Sequence, residues 1–206
     1  MSYLYNLLKQ FLALLLTTTD KYVGNFGVSI IVVTILIKIA LLPLTLKQDK
    51  SMKEMKKIQP ELEKLKEKYA NDKQMLNIKT MELYKEHKVN PLGGCLPLLL
   101  QLPILFALFG VLRNGIIPKD SSFLWLKLSV PDPFYVLPVL NGAVSFFQQK
   151  LMGSADSNPQ MKNMMYIFPI MMIMISYKMP SGLQLYWLTS SILAVVQQYF
   201  IMKKGA

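Results

Sequence analysis

The stretch Gly24–Leu46, GNFGVSIIVVTILIKIALLPLTL, constrains this chain most: it is apolar throughout and carries one charge, Lys38. Twenty helical residues at about 1.5 Å each cover the roughly 30 Å hydrocarbon core of a bilayer, so it predicts a membrane-crossing helix. Counting back from the exit that begins at Thr45, Lys38 lies about 10 Å inside the cytoplasmic end of that span. A lysine at mid-span costs about 2.5–3.5 kcal/mol on insertion scales, and less near an interface. Thr34, Lys38 and Thr45 fall within about 40° of one another at 100° per residue, so they form one polar stripe. Two readings of Lys38 stand at this point: a side chain that snorkels to the headgroups, or one that faces a wet cavity among helices.

Four further apolar segments follow, with charge concentrated between them, as expected of an all-α integral membrane protein. The expected spans are 23–46, 91–113, 132–150, 161–179 and 183–202. The first 22 residues are apolar but interrupted by Asn6, Lys9 and Gln10, and their unbroken run Phe11–Leu16 is too short to span. They predict an amphipathic helix lying in the interface, with a weak signal-anchor as the alternative. Segment 47–90 holds twelve lysines and eight acidic residues. Met52, Met55, Ile58, Leu62, Leu65 and Tyr69 recur at helical spacing, Pro60 predicts a kink or restart, and Asn71-Asp72 breaks the pattern. This is a cytoplasmic helical hairpin, with Glu63–Lys66 and Glu82–Lys85 as expected surface pairs. It reads equally as a solvated spacer or as a docking arm or mobile gate.

The loop at 114–131 carries an interfacial segment, Phe123-Leu124-Trp125-Leu126. A short cytoplasmic loop is expected at 151–160 and a tail at 203–206. Polar groups mark the later spans. Gln101 is the mid-span polar group of the second. Asn141, Ser145, Gln148 and Gln149 cover one face of the third, about 100° wide. The fourth is methionine-rich, either adaptable client surface or lipid-facing filler. The fifth has two polar faces, Gln184-Trp187-Ser191-Gln198 and Tyr186-Ser190-Gln197, and periodicity leaves open which looks inward. With the hairpin, the third-to-fourth loop and the tail inside, sixteen basic residues lie inside against six outside. The amino end is therefore expected outside and the carboxyl end in the cytoplasm.

The net charge of +11 does not indicate nucleic acid, because aromatic residues do not interleave with the basic run and the basic segments flank spans. One cysteine, Cys95, excludes an internal disulfide and a multi-cysteine metal site, and its Leu92-Gly93-Gly94 context fails as a lipoprotein box because the apolar run follows it. His87, the one histidine, lies in a charged segment as a solvated residue with no second ligand at metal spacing. No metal, cofactor or catalytic pair is called for, so the chain is not expected to be an enzyme. Apart from Asp132 at the outer edge of the third, no carboxylate falls within an expected span, which disfavours a coupled transporter and leaves Lys38 without an acidic partner there. A buried unpaired ammonium is costly, which favours a water-filled pocket near the cytoplasmic side, lined by Thr34, Lys38, the third-span stripe and part of the fifth span.

The chain resembles the membrane core of the YidC/Oxa1/Alb3 insertases through VGNFGVSIIVVTILIKIALLPLT at 23–45, KVNPLGGCLPLLLQLPILFAL at 88–108, DPFYVLPVLNGAVSFFQQKLM at 132–152 and PSGLQLYWLTSSILAVVQQ at 180–198. The resemblance covers nearly the whole chain and is nearest to the bacterial members. It implies a membrane protein insertase and chaperone of the bacterial cell membrane, with five spans and a hydrophilic groove open to cytoplasm and lipid. Lys38 matches the groove's positive residue, usually arginine in the family; lysine keeps the charge but not the planar fork. Thr34, Gln149, Tyr186 and Trp187 match other groove or client-contact positions. With Gln101, Asn141 and Ser145 from the polar faces, these make up the expected substrate-binding groove. The implied partners are nascent membrane proteins and the bilayer, and the family likeness extends to a Sec translocon, the ribosome and signal-recognition-particle components. The large periplasmic domain, extra amino-terminal span and long basic tail of some family members are expected to be missing.

Overall fold

The computed structural model describes residues 2–87, 89, 96–151 and 159–203. Cys95 with its glycines, most of the 151–160 loop and the end of the tail lie outside the described residues, as do the side chains of Met161, Met164 and Met165. The chain forms α1 (Ser2–Val23), α2 (Phe26–Lys57), α3 (Gln59–Lys68), α4 (Lys73–Glu86), α5 (Leu96–Arg113), β1 (Ser122–Phe123), β2 (Leu126–Lys127), α6 (Val136–Leu151), α7 (Pro159–Ser176) and α8 (Ser181–Lys203).

α2 does not stop at Leu46. It runs as one helix of 32 residues into the lysine-rich segment, with Pro43 inside it. The residues after Lys47 are mostly good helix formers, so the bilayer boundary leaves no break in the backbone. Phe26–Met55 is the one stretch among the described residues long and apolar enough by itself to cross a membrane; Gln101–Arg113 and Tyr166–Ser176 are shorter apolar helices. α2 ends at Lys57, and α3 restarts with Pro60 in its first turn, where proline's missing N–H costs nothing.

α1 packs across α2 and α5. Leu12 and Leu16 are buried against both, and Tyr5 donates to the Phe106 carbonyl near the middle of α5. Tyr3, Leu7, Phe11 and Leu14, at spacings of three and four, form an exposed apolar face. The turn into α2 is made by Gly24 at φ +69°, a conformation that other residues adopt only with strain.

The loop after α5 contains a two-stranded antiparallel hairpin, Ser122 opposite Lys127 and Phe123 opposite Leu126, which periodicity did not reveal. The expected interfacial segment divides: Leu126 is buried, while Leu124 and Trp125 are exposed. This loop ties together three helix starts. Asn25 caps α2 by accepting from Gly27 and Val28 N–H, and its Nδ2 donates to the Ser122 carbonyl. Ser181 N–H and Gly182 N–H of α8 donate to the carbonyls of Val130 and Leu128. Asp132, 1% exposed, accepts from Phe134 and Leu137 N–H at the start of α6 and from Trp125 Nε1. These are the orphan donors of helix amino ends, satisfied by one shared lid. Asp132→Ala leaves all three donors without that acceptor and should cost about 2 kcal/mol, read as a lower Tm in detergent.

In the lysine-rich hairpin, Ile58, Leu62, Leu83 and Val89 form a small core with Met55, Leu65 and Tyr84 around it. Asp72 caps α4 by accepting from Met75 N–H. Glu82 pairs with Lys79 at 2.7 Å instead of the expected Lys85. Glu63 acts on Lys66 only through its charge, without a close ion pair. His87 lies 3.3 Å from Glu61, so it staples α3 to α4 and is not merely solvated.

Candidate functional site

Thr34, Lys38, Thr45 and Asp49 fall within about 60° on one face of α2, and Tyr186, Ser190 and Gln197 within about 40° on one face of α8. The two helices pack along their length, and these faces meet. Gln197 Nε2 donates to Thr45 Oγ1 at 2.9 Å and to Asp49 Oδ2 at 2.6 Å. Thr34 and Tyr186 line one cavity farther along. Thr45 to Gln197 and Thr34 to Tyr186 share an offset of 152 residues, so the helices run parallel and in fixed register. At that offset Lys38 stands level with Ser190.

α5 closes this seam from a third side. Gln101 Nε2 donates to Tyr186 Oη at 2.8 Å, and Ser190 Oγ donates to Gln101 Oε1 at 3.4 Å. Gln101 is thus the joint between two α8 hydroxyls. Thr34 is 1% exposed and satisfies its hydroxyl on the Ile30 carbonyl at 2.6 Å. Lys38 is half-buried and makes no hydrogen bond or ion pair among the described residues. Its charge and that of Asp49 act on one another, so the carboxylate nearest in effect to Lys38 lies just beyond the expected span, on the same helix.

The expected pocket differs in two respects. The cavity between Thr34 and Tyr186 has a volume of about 10 Å³, near the minimum for one water, and its other walls are apolar: Leu12, Leu16, Ile30, Val33, Ile37, Ile104 and Leu108. The third-span stripe is not part of the seam. α6 packs on α7 and on the other side of α8. Asn141, with no exposed surface, donates to the Gln184 carbonyl at 3.3 Å. Ser145 is buried one turn further along α6. Polar side chains on one helix face can be hidden by another helix as well as by water, and here α8 hides them. Gln148 and Gln149 are half-buried near the end of α6, and Trp187 packs at the edge of the main core. Both polar faces of α8 therefore look inward: Tyr186-Ser190-Gln197 meets α2 and α5, and on the other face Gln184 lies against α6 while Trp187 packs on the main core and Gln198 lies beside Asp49 of α2.

α5 packs on α1, α2 and α8, whereas α6 and α7 pack on one another and reach the rest through α8. Among the described residues no comparable contact joins α5 to α6 or α7. Phe106 and Phe109 of α5, and Ile167, Ile170, Met171 and Met174 of α7, are exposed. Asp49, Ser190 and the continuity of α2 into the hairpin join the site only in the structure, although Asp49 is legible in the sequence as the next polar residue on the stripe.

An apolar helical assembly with a polar seam along its central helix pair, a lid at one end and a basic hairpin at the other has the make-up of an integral membrane protein. The model of the 60Kd inner membrane protein family matches residues 18–206. The chain is 86% identical to the membrane protein insertase YidC of Fusobacterium nucleatum subsp. nucleatum over the full length of both. It is 45% identical to the YidC of Anaeromyxobacter sp. strain Fw109-5 over 186 residues, and 46% identical to that of Geobacter sp. strain M21 over 185. Those matches cover 90% and 89% of this chain but 34% of each relative. Among solved structures it is similar to an active YidC insertase with its first transmembrane domain resolved, at TM-score 0.78 and 28% identity, over 95% of this chain and 46% of that one. The chain belongs to this family of bacterial inner-membrane proteins, the YidC membrane protein insertases.

Proposed function

We propose that the α2–α8 seam is the receiving groove of a five-span insertase and chaperone whose spans are α2, α5, α6, α7 and α8. The amino end lies outside and the carboxyl end in the cytoplasm, which the distribution of lysine and arginine supports. An arriving client's short polar or acidic tail enters from the cytoplasmic end and is held near Lys38. Its path across hydrocarbon is shortened, so less charge is desolvated at once. Its apolar segment leaves into lipid between α5 and α7, where exposed aromatic, isoleucine and methionine side chains accept varied sequences. Nascent membrane proteins and lipid are the partners this requires; a Sec translocon, the ribosome and signal-recognition-particle components rest on the family likeness alone.

One observation carries the reading: a lysine with no bonded partner is held in a seam whose other polar groups are fixed by hydrogen bonds in register. Single cysteines at 38, 45 and 197, in a Cys95→Ser background, should react with water-soluble maleimides from the cytoplasmic side at least about tenfold faster than cysteines at Leu36 and Ile39, which are exposed on α2 away from the polar stripe. Equal rates at the two sets would mean a dry seam and would defeat the proposal.

A further inference from the structure

Asp49 is the first carboxylate beyond the apolar stretch of α2, and among the described residues it makes no close ion pair with its sequence neighbours Lys47 and Lys53. It continues the polar stripe, faces α8 and is half-buried. Its Oδ2 accepts from Gln197 Nε2 at 2.6 Å, the short length typical of a charge-assisted bond. The geometry around Gln197 fixes its orientation: the same nitrogen donates to Thr45 Oγ1, which itself donates to the Leu42 carbonyl at 3.1 Å. Both amide hydrogens of Gln197 thus point at α2, a setting built for an acceptor at position 49. About 16 Å of helix rise separates Lys38 from Asp49, and both side chains lie on the face between them.

We propose that Asp49 is a charge-selectivity residue of the insertion reaction: a resident anion at the cytoplasmic mouth, tethered to α8 by Gln197, that competes with an acidic client tail for the field of Lys38. The proposal rests on the reading of Lys38 as the receptor of that tail. A carboxylate entering the seam passes Asp49 first and is repelled by it, then shares Lys38 with it. A neutral tail meets neither effect. The resident anion therefore sets how acidic a tail must be before Lys38 favours it, and it spares Lys38 an uncompensated charge when no client is present.

The test uses the full chain in proteoliposomes of fixed lipid composition, with two single-span clients that differ only in an acidic or a neutral translocated tail. Asp49→Asn should raise the acidic-to-neutral insertion ratio about threefold at low salt, and less at high salt. Asp49→Glu should leave the ratio near that of the parent. Asp49→Cys in the Cys95→Ser background separates charge from folding: a neutral thiol reagent should keep the ratio raised, and an anionic one should bring it back. An unchanged ratio in Asp49→Asn, or equal loss of both clients with no response to the reagent's charge, overturns the proposal. Lys38→Ala run alongside distinguishes the two failures. If it lowers the ratio while Asp49 variants do nothing, only Asp49's role falls; if it too leaves the ratio unchanged, the reading of Lys38 falls as well.

Discussion

Lys38→Ala is expected to lower insertion of an acidic-tailed client by about tenfold or more, while a client with a neutral tail changes by less than about twofold. The size follows from Coulomb's law. A carboxylate about 4 Å from an ammonium gains roughly 4 kcal/mol at an effective dielectric of 20 and roughly 1 kcal/mol in bulk water. Lys38 is half-buried at the edge of a seam, between these limits, and 1.4 kcal/mol already corresponds to a factor of ten. Lys38→Arg should retain most of the activity, because what the seam supplies is charge at that depth. Lys38→Gln, which keeps length and polarity, should behave like alanine. In vitro insertion of the two clients, scored by protease protection, reads all three variants. An acidic-to-neutral insertion ratio in Lys38→Ala unchanged from the parent would take the charge out of the mechanism.

The largest loss of stability is expected at Tyr186. Its ring is 3% exposed, sits in the main core and walls the small cavity, while its hydroxyl accepts from Gln101. In a bilayer there is no transfer of apolar surface from water to gain by packing helices, so the cost of truncation is lost contact and enlarged cavity. Tyr186→Ala should therefore destabilise by about 3 kcal/mol, toward the low end for an aromatic-to-alanine change. Tyr186→Phe keeps the ring and removes the acceptor of Gln101 Nε2. Interhelical hydrogen bonds in membranes average about 0.6 kcal/mol and reach about 1.7, so this variant should lose about 1 kcal/mol. Unfolding of the detergent-solubilised protein gives both values. A loss in Tyr186→Phe as large as in Tyr186→Ala would place the stabilisation in the Gln101 bond and not in the packing.

The two sites differ in how far they could be read from residues alone. Lys38 stood out because one charge in an apolar stretch is visible without a fold, and its stripe with Thr34 and Thr45 follows from a period of 3.6. Tyr186 was one of two polar faces on its helix, and nothing local ranks them. Asn141 and Ser145 show the opposite limit. Their shared face was legible, but periodicity only says that they avoid lipid, not whether water or a neighbouring helix receives them. The hairpin at Ser122–Lys127 escaped because each strand has two residues, too few for alternation to register. The exchange of Lys85 for Lys79 as the partner of Glu82 is a choice between two near-equal local pairs.

What the sequence determined by itself was the order of helices, their polar stripes and the placing of Lys38, because these depend on hydrophobicity and helical period along one segment. What only the tertiary structure decided was which stripes meet. The pairing of Thr45 with Gln197 spans 152 residues. Such a register comes from the packing of whole helix surfaces, with α5 supplying Gln101 as the third side, and no window of sequence contains both partners.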